Sequence, residues 1–127
     1  MRITLYPTLN EVIELHQQLL KRFGEKTGVR DYGLLESALW RPQTGYYQSL
    51  SLQAAALLQS LSQNPPFIDG NKRVAFATTA IFLRMNGFRL KVTADDGESF
   101  LLDRGIQGRA PIEEISQWIE RHMVAAR

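Results

Sequence analysis

Eight consecutive residues, Pro66-Phe67-Ile68-Asp69-Gly70-Asn71-Lys72-Arg73, carry most of the chemistry available to this chain. They run straight into a nearly unbroken apolar stretch, Val74 to Met85. The order reads as a turn that opens a buried helix, with two cations at the helix mouth. The first backbone N–H groups of a helix lack internal partners, and the macrodipole makes that end attractive to phosphate. Asp69 offers carboxylate oxygens to a hard cation such as magnesium. Gly70 lets the backbone approach a ligand closely or adopt positive φ. Lys72 and Arg73 can neutralise phosphate charge, Arg73 as a bidentate fork. A plainer reading keeps Asp69 as an N-cap, Gly70 as a turn residue and both cations as a solvated first turn. Cations in a first turn oppose the helix dipole, however, and a bound anion would relieve that cost. The chemistry indicated is a nucleotide-phosphate site.

The elements that must position this turn are read from periodicity and caps. Thr8 and Glu11 make a capping-box pattern, followed by Leu9, Val12, Ile13, His16, Leu19, Leu20 and Phe23 at helical spacing, to about Arg22. His16 on that face is read as a hydrogen-bonded structural histidine, because no partner group stands at metal spacing. Asp31 caps a second helix carrying Leu34, Leu35, Ala38 and Leu39, stopped by Arg41-Pro42. Residues 42–50 read as a surface loop in which Tyr46 and Tyr47 pack down. A third helix spans about Leu50 to Gln63, and its Ala54-Ala55-Ala56 run permits close helix approach. The fourth, about Asn71 to Asn86, is apolar nearly all round and is placed at the centre, with Gly87 as its stop.

Phe88 to Thr93 alternates and suggests a short strand, with residues 2–6 as its expected partner. Asp95 and Glu98 are expected to form another capping box ahead of Phe100-Leu101-Leu102. Pro111 starts a last helix with Ile112, Ile115, Trp118, Ile119 and Met123 inward and His122 in its final turn. The fold class is all-α: a compact helical bundle with a buried central helix and at most a short β pair, one domain over 1–127.

Composition sets the outer bounds. The chain has 127 residues, 44% hydrophobic and 22% charged, ordinary values for a soluble globular domain. A net charge of +2 is too small to argue for a nucleic-acid platform or a membrane surface. The absence of cysteine removes disulfides, thiolate nucleophiles and thiolate metal sites. Arg2-Ile3-Thr4-Leu5-Tyr6 is too short for the apolar region of a signal peptide, and Thr78 and Thr79 break the longest apolar stretch. The expected location is the cytoplasm.

The stretch Pro66 to Arg73 resembles the core of the Fic/Doc superfamily motif, H-x-F-x-[D/E]-G-N-[K/G]-R. The likeness to the Doc (death-on-curing) branch extends to Gly28-Val29-Arg30-Asp31 with Gly33 to Leu39, and to Phe82-Leu83-Arg84-Met85-Asn86-Gly87. The resemblance implies a toxin of a toxin–antitoxin pair, with a cognate antitoxin as partner and ATP and magnesium as cofactors. It implies phosphate transfer to a hydroxyl of a protein in the translation machinery, elongation factor Tu being the expected target class. Carried over, Asp69 would hold magnesium, Gly70 and Asn71 would form an anion hole, Lys72 and Arg73 would contact phosphates, and Phe67 would anchor the loop. Adenylyl-transferring relatives carry a second arginine three residues beyond the first. Phe76 occupies that position here, which favours phosphoryl over adenylyl transfer.

One departure bears on activity. The family motif opens with a histidine two residues before Phe67, the base that takes the proton from the target hydroxyl, and this chain has Pro65 there. A positioned general base contributes about 10²–10⁴-fold in rate, so the chain is expected to be catalytically impaired. Pro65 is read as an inactivating substitution, engineered or selected against toxicity; a natural protein that never had the histidine is the competing account. A non-catalytic module that binds nucleotide or antitoxin on the same fold is the alternative function.

Overall fold

The computed structural model describes residues 3–24, 28–100, 103–104 and 109–126. Helix α1 (Leu9–Phe23) starts at a full capping box: Thr8 Oγ1 accepts from the Glu11 amide at 3.2 Å, and Glu11 Oε1 accepts from the Thr8 amide at 2.9 Å. It stops at Gly24, whose φ of 67° is left-handed. Val12, His16 and Leu20 form its buried stripe; the side chain of Phe23 lies outside the described residues. Helix α2 (Tyr32–Trp40) is capped by Asp31, whose Oδ1 accepts from the Leu34 amide at 3.0 Å.

Pro42 does not end the helical path at once. Arg41–Gln43 form a 3₁₀ turn, with Pro42 in its first positions, where a missing N–H costs nothing. Of the two loop tyrosines only Tyr47 packs down, accepting from Arg41 Nε at 2.7 Å, whereas Tyr46 is 76% exposed.

Helix α3 (Leu50–Gln63) is capped by Ser49 Oγ, which accepts from the Leu52 amide. Its end at Gln63 follows from Pro65 and Pro66, each of which drives the preceding residue out of helical geometry. Helix α4 (Asn71–Met85) packs along it. The most deeply buried helix is α3, closed off over Ala54–Leu58 and Ser60–Ser62, whereas α4 exposes Ile81 and Arg84. Small side chains at 54–56 let α3 take neighbours on several sides, a property that hydrophobicity alone does not rank. Helix α6 (Ile112–His122) lies on α3 through Ile115 and Ile119, and Phe67, Leu57, Leu61, Phe82 and Leu83 complete the core.

The β pair is present with a different partner. Strand β1 (Phe88–Leu90) pairs antiparallel with β2 (Met123–Ala125), in the register Phe88↔Ala125, Arg89↔Val124, Leu90↔Met123. Met123 therefore leaves the helix, its ψ of 137° being extended, and His122 is the last helical residue. Residues 3–8 run without strand pairing. They are held instead by the Asn86 side chain: Oδ1 accepts from the Leu5 amide at 2.9 Å, while Nδ2 donates to Leu5 O and Phe82 O, both at 2.8 Å. One carboxamide does the work expected of a strand edge. The short helix α5 (Ala94–Phe100) is capped by Thr93, whose Oγ1 accepts from the Asp96 amide at 3.1 Å, not by Asp95. Leu101 and Leu102 lie outside the described residues.

Candidate active site

The turn between α3 and α4 is fixed from three sides. On the first, residues 28–31 lie alongside it: the Ile68 amide donates to Gly28 O at 3.1 Å, and the Arg30 and Asp31 amides both donate to Pro66 O, at 2.7 and 3.0 Å. Val29 and Phe67 form an isolated antiparallel bridge. On the second, Asn71 turns its carboxamide back onto Phe67, accepting from the Phe67 amide at 2.9 Å and donating to Phe67 O at 3.0 Å. On the third, α1 supplies His16, which is 1% exposed and stacks on the equally buried Phe67 ring at 3.8 Å between centroids.

His16 also reaches the functional side of the turn. Its Nε2 lies 2.8 Å from Asp69 O; a carbonyl can only accept, so Nε2 carries the proton. Burial pushes the imidazole below its ordinary value, against the opposing pull of the Asp69 carbonyl and carboxylate. Sequence reasoning placed His16 inward but missed that it props the motif. The signal lay in its shared face with Val12 and Leu20, which says nothing about what that face meets.

Gly70 is the N-cap of α4, with φ 72° and ψ 18°. A Cβ there would stand 2.3 Å from Leu20 Cδ1, so glycine is required by both the backbone and the packing of α1. No side chain caps this helix, and the Val74 amide is the first to bond back, to Gly70 O. The first-turn amides ahead of it thus point toward the N-terminal cavity. That cavity, about 300 Å³, is lined by Ile68, Asp69, Gly70, Asn71, Lys72 and Arg73. Asp69 is exposed, with Oδ1 accepting from the Gly70 amide at 2.9 Å. Arg73 Nε stands 3.8 Å from Glu98 Oε1 of α5, a neighbour the sequence gave no reason to bring here.

The structure therefore gathers Asp69, Gly70, Lys72 and Arg73 around one cavity, as the sequence grouped them. Asn71 lines the same cavity, and its side chain is bonded to both backbone polar groups of Phe67. Pro65 is not part of the cavity lining; its carbonyl accepts from Arg30 Nη2. His122 sits apart, its Nδ1 2.6 Å from Trp118 O.

A metal ion has a limited footing. No group of three His, Cys, Asp or Glu residues gathers as a metal cage among the described residues. Asp69 alone is a donor set that fits magnesium, which keeps several waters and takes one or two carboxylates together with substrate phosphates.

Two cations and one acid thus border a helix N-terminus that no side chain caps, within a helical bundle. The Fic/DOC family model matches residues 6–83, spanning α1 to α4 with the turn inside it, and the chain belongs to that family. Its similarity to individual members is of the same kind. It is 50% identical over 78 residues to the toxin Doc of Mycolicibacterium smegmatis, covering 58% of this chain and 60% of that protein. It is 32% identical over 84 residues to the protein kinase doc of Escherichia phage P1, covering 63% and 67%. The matched stretch thus spans about three-fifths to two-thirds of the length of these curated relatives.

Proposed function

We propose that this chain is a Doc-like toxin whose fold is built to transfer phosphate from ATP to a hydroxyl of a translation factor of the elongation factor Tu class. The observation that carries the reading is the single cavity at the start of α4, where Asp69, the first-turn amides, Lys72 and Arg73 converge. Phosphoryl transfer asks little covalent chemistry of the protein; it needs positioning and charge neutralisation, and those are what these groups offer. The backbone amides would hold a phosphate oxygen, and the two cations would offset the charge that spreads over the transferred group. Asp69 would hold magnesium, which would supply Lewis-acid neutralisation of phosphate charge. His16, Asn71 and the 28–31 strap keep the turn rigid, so the donors need no rearrangement to meet the nucleotide.

The group that would take the proton from the acceptor hydroxyl is missing at Pro65, and the chain is therefore read as catalytically impaired. Phosphoryl transfer is favoured over adenylyl transfer by the surroundings of Phe76. Its ring packs so closely on Gly97 of α5 that an added Cβ would meet it at 2.0 Å. A cation at that position would be crowded by α5 as well as absent from the sequence. A cognate antitoxin is proposed as the protein partner, as the names of the relatives suggest. No helix among the described residues is long and apolar enough to cross a membrane. Location in the cytoplasm is part of the proposal, as is a single domain over 1–127.

The deciding experiment measures the intact mass of elongation factor Tu after incubation with ATP and magnesium, using this chain and its Pro65→His variant. A phosphoryl-sized gain with the variant, at least about 10²-fold faster than with Pro65, is the expected result. An adenylyl-sized gain would replace phosphoryl by adenylyl transfer. No gain with either chain would favour the non-catalytic module.

A further inference from the structure

Arg41 carries a positive charge that the fold uses only in part. It follows the last turn of α2, is half-buried, and reaches across to α3. Its Nε donates to Tyr47 Oη at 2.7 Å, and the guanidinium lies 5.3 Å from the centre of that ring. Its Nη1 donates to Gln59 Oε1 at 2.8 Å, to Ser60 Oγ at 3.0 Å and to Ala56 O at 3.4 Å. All of these partners are neutral, and no carboxylate pairs with Arg41 among the described residues. Its Nη2 donates to no described residue.

A cavity of about 330 Å³ opens beside this guanidinium, between α2, the 3₁₀ turn and the end of α3. Ala38 and Trp40 give it apolar wall, while Ser37, Ser60 and Asn64 join Arg41 as its polar lining. No other charged residue lines it among the described residues. Ser60 is 7% exposed, and its Oγ accepts from Arg41 without donating its own hydrogen to a described residue. The side chains of Ser37 and Asn64 are exposed and likewise bond to no described residue. One cation and several hydrogen-bond donors therefore meet here with no negative charge to match them. A cation partly withdrawn from water without a counter-ion is costly, and a bound anion would offset that cost. The cavity shares no residue with the Asp69–Arg73 cavity, although Asn64 directly precedes Pro65.

We propose that this cavity is a separate anion site that takes one carboxylate on a short apolar stem. The carboxylate oxygens would accept from Arg41 Nη2 and the Ser60 hydroxyl, with Ser37 and Asn64 at the rim and the stem against Ala38 and Trp40. Charge decides for carboxylate over phosphate. A carboxylate carries one negative charge, which Arg41 balances alone. A phosphate monoester carries about 1.5–2 near pH 7 and would leave an excess. A purely structural duty for Arg41 accounts for Nε and Nη1. It leaves Nη2, the Ser60 hydrogen and the charge itself without a use. The same group is supplied by a free small acid or by an acidic side chain of a protein lying across Asn64 and Pro65. The proposal stands apart from the transferase reading, because it rests on no residue of the Asp69–Arg73 cavity.

The test uses the full chain without nucleotide. N-acetyl-glutamate N-methylamide, whose side chain holds its one carboxylate, is titrated while amide and arginine Nε resonances are followed. The glutamine counterpart, equal in shape and neutral, is the control, and inorganic phosphate is a further probe. The expected result is movement centred on 37–44 and 59–64 with the glutamate compound, none with the glutamine one, and weaker binding of phosphate. Ser37→Glu places a carboxylate four residues ahead of Arg41 on the exposed side of α2, where the two can pair. It leaves the bonds of Arg41 to α3 in place and should weaken binding of the glutamate compound about tenfold. Ser60→Ala should weaken it as well, with the rest of the spectrum kept. Equal movement with glutamine, tighter binding of phosphate, or undiminished binding by Ser37→Glu would each overturn the proposal. Butyrate and a short peptide with one central glutamate separate the two sources. Equal affinity supports a free acid as the occupant, and tighter binding of the peptide supports an acidic side chain of a protein. No catalysis is measured, so this proposal and the transferase reading fail independently.

Discussion

His16 and Asn71 shape the turn ahead of α4 through its backbone. Each is a polar side chain that spends its hydrogen bonds on the backbone of the turn, His16 on Asp69 O and Asn71 on both polar groups of Phe67. Burial favours the neutral imidazole in the fold and lowers its proton affinity below the ordinary value, against the opposing pull of Asp69. The sign of the consequence is fixed. The unfolded chain takes up the proton first as pH falls below about 6.5, so stability is full above that value and declines beneath it until the native imidazole also protonates. In urea unfolding, the midpoint of this chain is expected to fall between pH 7.5 and 5.5. His16→Phe, which keeps a ring on Phe67 but cannot titrate, should show a flatter slope. Equal slopes would mean that His16 has the same proton affinity folded and unfolded. What was legible at this scale was residue type: the acid, glycine, amide and cations of 69–73, adjacent in sequence, do line one cavity. The direction of the Asn71 carboxamide was not, because whether it turns outward or back four residues depends on the turn it sits in.

At the scale of elements, caps were read well and pairings were not. Thr8, Asp31 and the proline pair act on residues within four positions, so the limits of α1, α2 and α3 followed from local sequence. Strand β1 was visible as alternation, but its partner is a three-residue segment too short to show any, and it follows directly on α6. The pull of Asn86 on Leu5 spans 81 positions and leaves no local trace. Asn86→Ala is expected to cost about 2–4 kcal/mol, because the buried Phe82 carbonyl loses a partner and the Leu5 amide and carbonyl lose theirs. Hydrogen exchange provides the check. The Leu5 amide should lose protection in the variant while the amides of α3 keep theirs, whereas uniform loss would mean that Asn86 holds the whole fold and not one segment.

For the whole molecule, hydrophobicity pointed to α4 as the buried helix, and α4 does line the core beside α3. Helix α4 has the more continuous apolar run, but α3, with its alanines, is enclosed more completely, because small residues admit neighbours where large ones fend them off. Helix α4 is left as a spine with the Asp69–Arg73 cavity at one end and a groove along its exposed side. Its far end has a further consequence. Leu5 is bound to Asn86, and the Ala126 amide donates to Gly87 O at 2.9 Å, so both outer segments of the chain converge on two consecutive residues. The order in which the helices are strung is then not dictated by their packing. A rearranged gene that joins residue 126 back to residue 3 through a short flexible linker, and opens new ends at the exposed Gly45, should encode the same bundle. Cooperative melting with a loss of no more than about 2 kcal/mol is the expected outcome. A chain that will not fold when rewired would show that the original connectivity is needed to build the bundle as well as to hold it.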